Sequence, residues 1–422
     1  MIPIIRTETI PRHRAFFDAL ARADERSDAW QTEHAGLVTL RFLDSWREGA
    51  GSWSGDWSDA AFNYERDAVE SAIAAVPETF SERRLLATIV ERVVLARAGQ
   101  PASFIPPLFA YARSLDLRSA WALAANVYGV LWESFVARDR LGPVDDDVAQ
   151  SVAQRLGACH RMLGDHARAG EGYAAAVMLA TQRGDERATL QARLGQAKTL
   201  IDQGYLHEAE LRLVSIVGTA TGAHLAEIRA YAWHDLAHVA HLCGKMLAGI
   251  EYAYEAWQAT DDAVERERVL ITLANLLLGA GYPDVSREAN ALLAVTGVEP
   301  FVRWLATVNL IEIATIERRE IEFARYKKVL TNVELPPLLQ GEFHYYVGLG
   351  HLTFDQPTLA AEAFGRSVAI AEEYGLGELL ARAREQRSVR TTKVVAGTPR
   401  PVSVMRVADA LHSARLLAAA GA

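Results

Sequence analysis

Apolar and small residues recur at spacings of three and four along most of the chain, the mark of helices that bury one stripe. The runs break at regular steps. Gly164, Gly204 and Gly244 are equally spaced, each with an amphipathic run before it and another after it. In the first copy Leu156, Gly157 and His160 precede the glycine, and Ala169, Tyr173 and Ala176 follow it. The second copy has Leu200, then Ala209, Leu213 and Ile216; the third has Trp233, Leu236, Ala237 and Ala240, then Gly249, Ala253 and Ala256. Self-similarity at such a period means one supersecondary unit stacked on copies of itself. Small residues on facing stripes let two antiparallel helices approach, and the large residue at the next turn fills the neighbour's gap. The pattern predicts an all-α solenoid in which each helix pair buries its apolar face only against its neighbours.

Three fainter copies follow. They are Leu273, Ala274, Leu277, Gly281 and Ala289; then Leu310, Ala314, Ile321 and Ala324, with Arg318-Arg319 where glycine would sit; then Val347, Gly348, His351, Asp355, Ala360 and Phe364. Residues 147–374 thus resemble the tetratricopeptide repeat family, whose helix pairs alternate Trp/Leu/Gly/Tyr and Ala/Phe/Ala positions around a Gly-Asp turn. The resemblance implies a right-handed α-solenoid of antiparallel helix pairs with a concave groove lined by the first helix of each pair. Steps of about 37 to 40 residues exceed the family's roughly 34 and imply longer helices or loops. A HEAT-like solenoid is the alternative, although it does not call for a frame of glycine and small residues.

Residues 1–82 hold three further helical runs, around 12–24, 29–47 and 58–75, outside the repeat frame and readable as a cap. Residues 83–146 read as degenerate helical repeats, with runs over Arg83–Gly99, Phe104–Leu115 and Ser119–Ala137. Residues 48–60 are a loop by composition. After the array, 375–388 reads as a capping helix and 389–402 as a basic linker. Residues 403–422 form a final amphipathic helix with Val407, Leu411 and Ala414 on one face.

Composition narrows the function classes. Half the residues are hydrophobic and 23% are charged, far from disorder. A net charge of −9 argues against a general nucleic-acid binder, which needs a basic surface. Cys159 and Cys243 read as small buried fillers in a reducing compartment, not as a disulfide framework. No run approaches the ~18 apolar residues of a membrane span, and the N-terminus lacks the apolar stretch of a signal peptide. The expected place of work is the cytoplasm.

His234, His238 and His241 recur at i, i+4 and i+7 and form one stripe on a predicted helix. Two imidazoles four apart can share zinc, as in HExxH proteases. Here Asp235 stands where that motif has glutamate, and no third ligand falls at a family spacing. The repeat register instead aligns His238 with Lys198 and Asn275, and aligns His234 and His241 with Leu194, Ile201, Ile271 and Leu278. That predicts an apolar groove with a central polar row, suited to an amphipathic helix or an extended segment. The plain reading of the stripe is a solvated helix face. Trp53 and Trp57, in a glycine-rich loop, are a further contact candidate, or else a cap over the N-terminal helices. Arg382, Arg384, Arg387, Arg390, Lys393, Arg400 and Arg406 form a basic stretch, with Arg387 and Arg390 its candidate contact residues; such runs are usually solvated linkers. No P-loop, CxxC pair, GxSxG elbow or Ser/His/Asp order is present.

The expected function is a non-enzymatic scaffold, without cofactor or metal, that holds a peptide or helix of a partner protein in the groove. The alternatives are a peptide-sensing regulator of bacterial signalling or transcription and, from another class, a metal-dependent hydrolase at the histidine stripe.

Overall fold

A computed structural model describes residues 11–49, 58–100, 102–137, 145–385 and 400–420. Among these residues there are twenty α-helices and no strand. The chain divides into two compact units, Met1–Tyr205 and Leu206–Ala422. The first holds α1 (Arg14–Leu20), α2 (Asp28–Gly49), α3 (Asp59–Ala75), α4 (Ser81–Arg97), α5 (Ile105–Leu117), α6 (Trp121–Ala137), α7 (Asp146–Met162), α8 (His166–Gln182) and α9 (Glu186–Asp202). The second holds α10 (Leu206–Thr219), α11 (Ala226–Leu242), α12 (Met246–Ala259), α13 (Ala263–Gly279), α14 (Pro283–Thr296), α15 (Pro300–Ile316), α16 (Glu320–Leu330), α17 (Pro337–Thr353), α18 (Pro357–Glu373), α19 (Gly377–Glu385) and α20 (Val402–Ala420). Most helices pack chiefly on their sequence neighbours, α20 being the main exception. The protein is an all-α, TPR-like helical-repeat solenoid.

The repeat step has a simple anatomy. From Asp146 to Pro337, every first helix is followed by the start of its partner at one fixed offset, as in Asp146 to His166 and Pro300 to Glu320. The return to the next pair is not fixed: it is longer from His166 to Glu186 than from Met246 to Ala263. The period therefore shortens along the array in the connection that leaves the second helix. Consistently, α8 has 17 residues, α12 and α14 have 14, and α16 has 11.

Each hairpin turns in the same way. Helix α7 ends with Gly164 at φ +75°, its N–H donating to the Arg161 carbonyl while the Asp165 N–H donates to that of His160. This is a Schellman motif, which needs a left-handed residue just past the helix. Asp165 then caps α8 by accepting from the Arg168 N–H at 3.1 Å. In the fifth and sixth copies Arg318 (φ +56°) and Asp355 (φ +55°) take the left-handed place, and the same two hydrogen bonds close each turn.

Within the first unit the small residues do what close packing requires. A Cβ on Gly172 would lie 2.6 Å from the backbone nitrogen of Gly157, so α7 and α8 touch backbone to backbone. The Tyr173 ring fills the remaining gap, with Gly157 on one side and Gly195 of α9 on the other. Cys159 is buried on α7, where burial pushes its thiol up to about 12. Cys243, expected to be a buried filler as well, is exposed. It is the C-cap of α11, one residue past the last helical position, and Ala237 and Ala240 occupy the buried stripe instead.

In the second unit α19 packs on α18 and α17, and α20 lies on α12 and α14. Val404, Val407 and Leu411 of α20 are buried there. Arg400 pairs with Asp284, Arg415 with Glu288, and Arg406 with Glu255 at 3.5 Å.

Candidate ligand-binding face

Helices α11, α13, α15 and α17 are equal in length, 17 residues each. They begin at Ala226, Ala263, Pro300 and Pro337, in equal steps, so equivalent positions are read by adding that step. The first-turn row is Glu227, Val264, Phe301 and Leu338, all exposed. Val264, Phe301 and Leu338 are the apolar members of this open row. One turn on lie Tyr231, Arg268, Leu305 and Glu342, and then Asp235, Thr272, Asn309 and Tyr346, all exposed or half-buried. The fourth row is His238 and Asn275, both exposed, followed by Glu312 and Leu349, both buried. An apolar margin thus runs beside polar rows rich in amide, hydroxyl and guanidinium groups. A surface of this kind can match an amphipathic segment, with backbone or side-chain hydrogen bonds along one side.

The histidine stripe divides. His234 is held between two repeats, its Nδ1 2.6 Å from Glu265 Oε1 and its Nε2 3.0 Å from Thr272 Oγ1, both on α13. Glu265 is itself buried and its N–H donates to the Asp262 cap. His234 therefore ties α11 to α13. His238 is exposed and His241 half-buried. Among the described residues no group of three His, Cys, Asp or Glu side chains could hold a metal ion, so the hydrolase reading finds no support.

Lys198 lies half-buried on α9 in the first unit, whereas His238 and Asn275 belong to the second. The apolar positions of the expected groove also differ. Leu194 and Leu278 are buried, and only Ile201 and Ile271 are partly open. The open apolar residues sit about two to four turns earlier, in the first-turn row. Extending the stripe upstream from His238 by seven and then four, to Tyr231 and Glu227, and reading the equivalent positions of the later copies would have found them. Tyr231 donates to Glu227 at 3.2 Å, and burial together with nearby carboxylates pushes its phenol up to about 12.

The described arginines of the basic stretch form ion pairs within the chain. Arg382 pairs with Glu342, Arg384 with Glu372, and Arg400 and Arg406 with the partners given above. Trp53, Trp57, Arg387 and Arg390 lie outside the described residues. No described helix is long and apolar enough to cross a membrane.

No family model and no curated protein matches the chain. Solved structures do. The apo form of the quorum sensor NprR from B. thuringiensis is 11% identical, aligned over 85% of this chain and 92% of that one with a TM-score of 0.50. The Rap conjugation gene regulator of the plasmid pLS20, in complex with the Phr* peptide, is 11% identical over 85% of this chain and 98% of that one, at 0.44. A Rap protein complexed with competence and sporulation factor is 12% identical over 84% and 100%, at 0.42. The NprR likeness supports the helical-repeat fold and, at this identity, nothing finer.

Proposed function

We propose that this protein is a binding scaffold of the long-period tetratricopeptide type, which works without catalysis in the cytoplasm and takes a peptide or helix of a partner protein. The seat of binding is the first-helix face of the second unit. The observation that carries this reading is the exposed row Val264, Phe301 and Leu338 running beside the polar rows of Arg268, Thr272, His238 and Asn275. Exposed apolar side chains aligned over successive repeats and rimmed by polar groups mark interaction surfaces. A sensing role, in which peptide binding alters the action of a separate output partner, is the second reading. Its support is the fold shared with a quorum sensor.

The test starts from a photo-crosslinking residue at Thr272 of the full chain in extract of its own cells. It is expected to capture one polypeptide segment, which is then synthesised and titrated into purified protein. Phe301→Ala and His238→Ala should each weaken that titration by about tenfold, as anchor residues do, with unchanged melting temperature. A segment whose affinity ignores both substitutions, or no captured segment, overturns the proposal.

A further inference from the structure

Helices α1, α2, α6, α7 and the start of α8, all in the first unit, border a half-open cavity of about 610 Å³. Its apolar lining includes Ala15 and Ala19 of α1, Trp121 and Leu123 of α6, and Leu156 of α7. The volume is in the range of small-molecule sites. None of these residues belongs to the face described above.

One wall holds an unanswered imidazole. His160 lines the cavity, is only 7% exposed, and has no side-chain hydrogen bond to any described residue. Its counterpart on α17 shows what is missing. His351, 5% exposed, has Nδ1 2.6 Å from Gln356 Oε1 and Nε2 3.3 Å from Lys327 Nζ. The residue equivalent to Gln356 is Asp165, whose carboxylate is used on the first turn of α8. The His160 ring can therefore take a partner from the cavity, as donor or acceptor.

The adjoining wall is the N-terminus of α6. Trp121, Ala122 and Leu123 line the cavity, and their N–H groups find no acceptor among the described residues. Such N–H groups at the positive end of a 17-residue helix favour an anion. Arg14, Arg22 and Arg168 also line it, with Asp18, Glu33 and Asp165 among them and Ser119 and Asn126 beside them. Arg14 and Asp18 lie 3.5 Å apart, and Arg168 and Asp165 3.6 Å. Burial raises the pKa of Glu33 against the opposing effect of Arg118. The α6 N–H groups, His160 and Arg168 are donors on this lining, in keeping with an acidic ligand, with the Glu33 carboxyl beside them.

We infer that this cavity binds a small organic acid, its carboxylate received by the first turn of α6 with His160 and Arg168, and its apolar body lying on Ala19, Trp121 and Leu156. The probes are octanoate and its neutral counterpart octanol, titrated into the full chain by calorimetry and by saturation-transfer NMR. Octanoate is expected to bind saturably and at least about tenfold more tightly than octanol, the margin of a charge-assisted contact. Arg168→Gln should bring octanoate down to the level of octanol. Ala19→Phe, which fills the cavity from α1, should abolish binding of both. Should Ala19→Phe lower the melting temperature, Ala122→Phe fills the same space from α6 and carries the test. Equal binding of acid and alcohol, no saturable binding of octanoate, or retained binding in a stably folded cavity-filled variant overturns the inference.

Discussion

The hairpins α7–α8 and α15–α16 follow one backbone plan with opposite packing. In α7–α8 the facing positions are Gly157, Gly172 and Tyr173, and the two backbones touch. Laying Asp146 on Pro300 puts Ile311, Tyr326 and Lys327 at those places. Ile311 is fully buried, so side chains fill the space that the first pair closes with backbone. The turn changes too, from Gly164 to Arg318, yet both residues are left-handed. The frame is therefore kept by the hydrogen bonds of the turn and by filling the interface, and glycine is one way of meeting each demand. The pair α17–α18 stands between them. It keeps Gly348 against Phe364 but turns through Asp355.

The largest effects should come from exchanging the two kinds of interface. Gly172→Leu must push α8 off α7 and is expected to cost about 3 kcal/mol, the upper part of the usual overpacking range. Ile311→Ala opens a cavity in the other pair and should cost about 2–5 kcal/mol. Gly157→Leu meets a side chain, Tyr173, and should cost about 1–3 kcal/mol. Denaturant melts of the three variants decide the matter. A Gly172→Leu protein as stable as the parent would break the contrast.

Smaller and opposite changes should follow at the turns. Gly164→Ala forces a Cβ into the left-handed region and should lose about 1 kcal/mol. Arg318→Gly relieves that strain, less the entropy of glycine in the unfolded chain, and should gain about 0.5–1 kcal/mol. If Arg318→Gly destabilises, the arginine side chain contributes more to the turn than its backbone costs.

The smallest effect sharpens the comparison by pH. His160 and His351 occupy one register position, which in α15 is Ala314. Burial lowers the pKa of both histidines below the ordinary 6.5. Each therefore favours folding fully above the unfolded value of 6.5, and that contribution is lost as pH falls from there towards the folded value. Melting temperature should accordingly drop between about pH 6.5 and 5, and the drop should shrink in His160→Ala and again in His160→Ala/His351→Ala. His34 and His344, lowered by the same cause, account for part of what remains. An unchanged slope in the double variant would remove these two positions from the acid response.

The turns were legible because left-handed backbone selects glycine, and the frame carried through Arg318 because copies on either side predicted it. The candidate site was only partly legible. A spacing of three and four placed three histidines on one stripe, but the edge of a stripe meets the next repeat. His234 sits at that edge and is engaged by Glu265 and Thr272, whereas His238 is exposed. Alignment by period likewise predicted that Leu194 and Leu278 would line a groove, while both are buried. The cavity beside His160 left no periodic trace, since its walls come from α1, α2, α6, α7 and α8.

By itself the sequence determined that the chain is helical, where its hairpins turn and, in most copies, which residues lie between paired helices; in the fifth copy Phe323 is buried, whereas Ile321 and Ala324, expected there, are exposed. Those outcomes rest on interactions within a turn or between one helix and the next, and small, apolar and left-handed positions encode them directly. Only the tertiary structure decided which polar residues are drawn into contacts between copies. That depends on partners a whole repeat away, as in Asp116 with Arg155, Arg161 with Asp202 and His234 with Glu265. Local spacing carries no information about them, because side chains so far apart along the chain meet only once the copies have stacked.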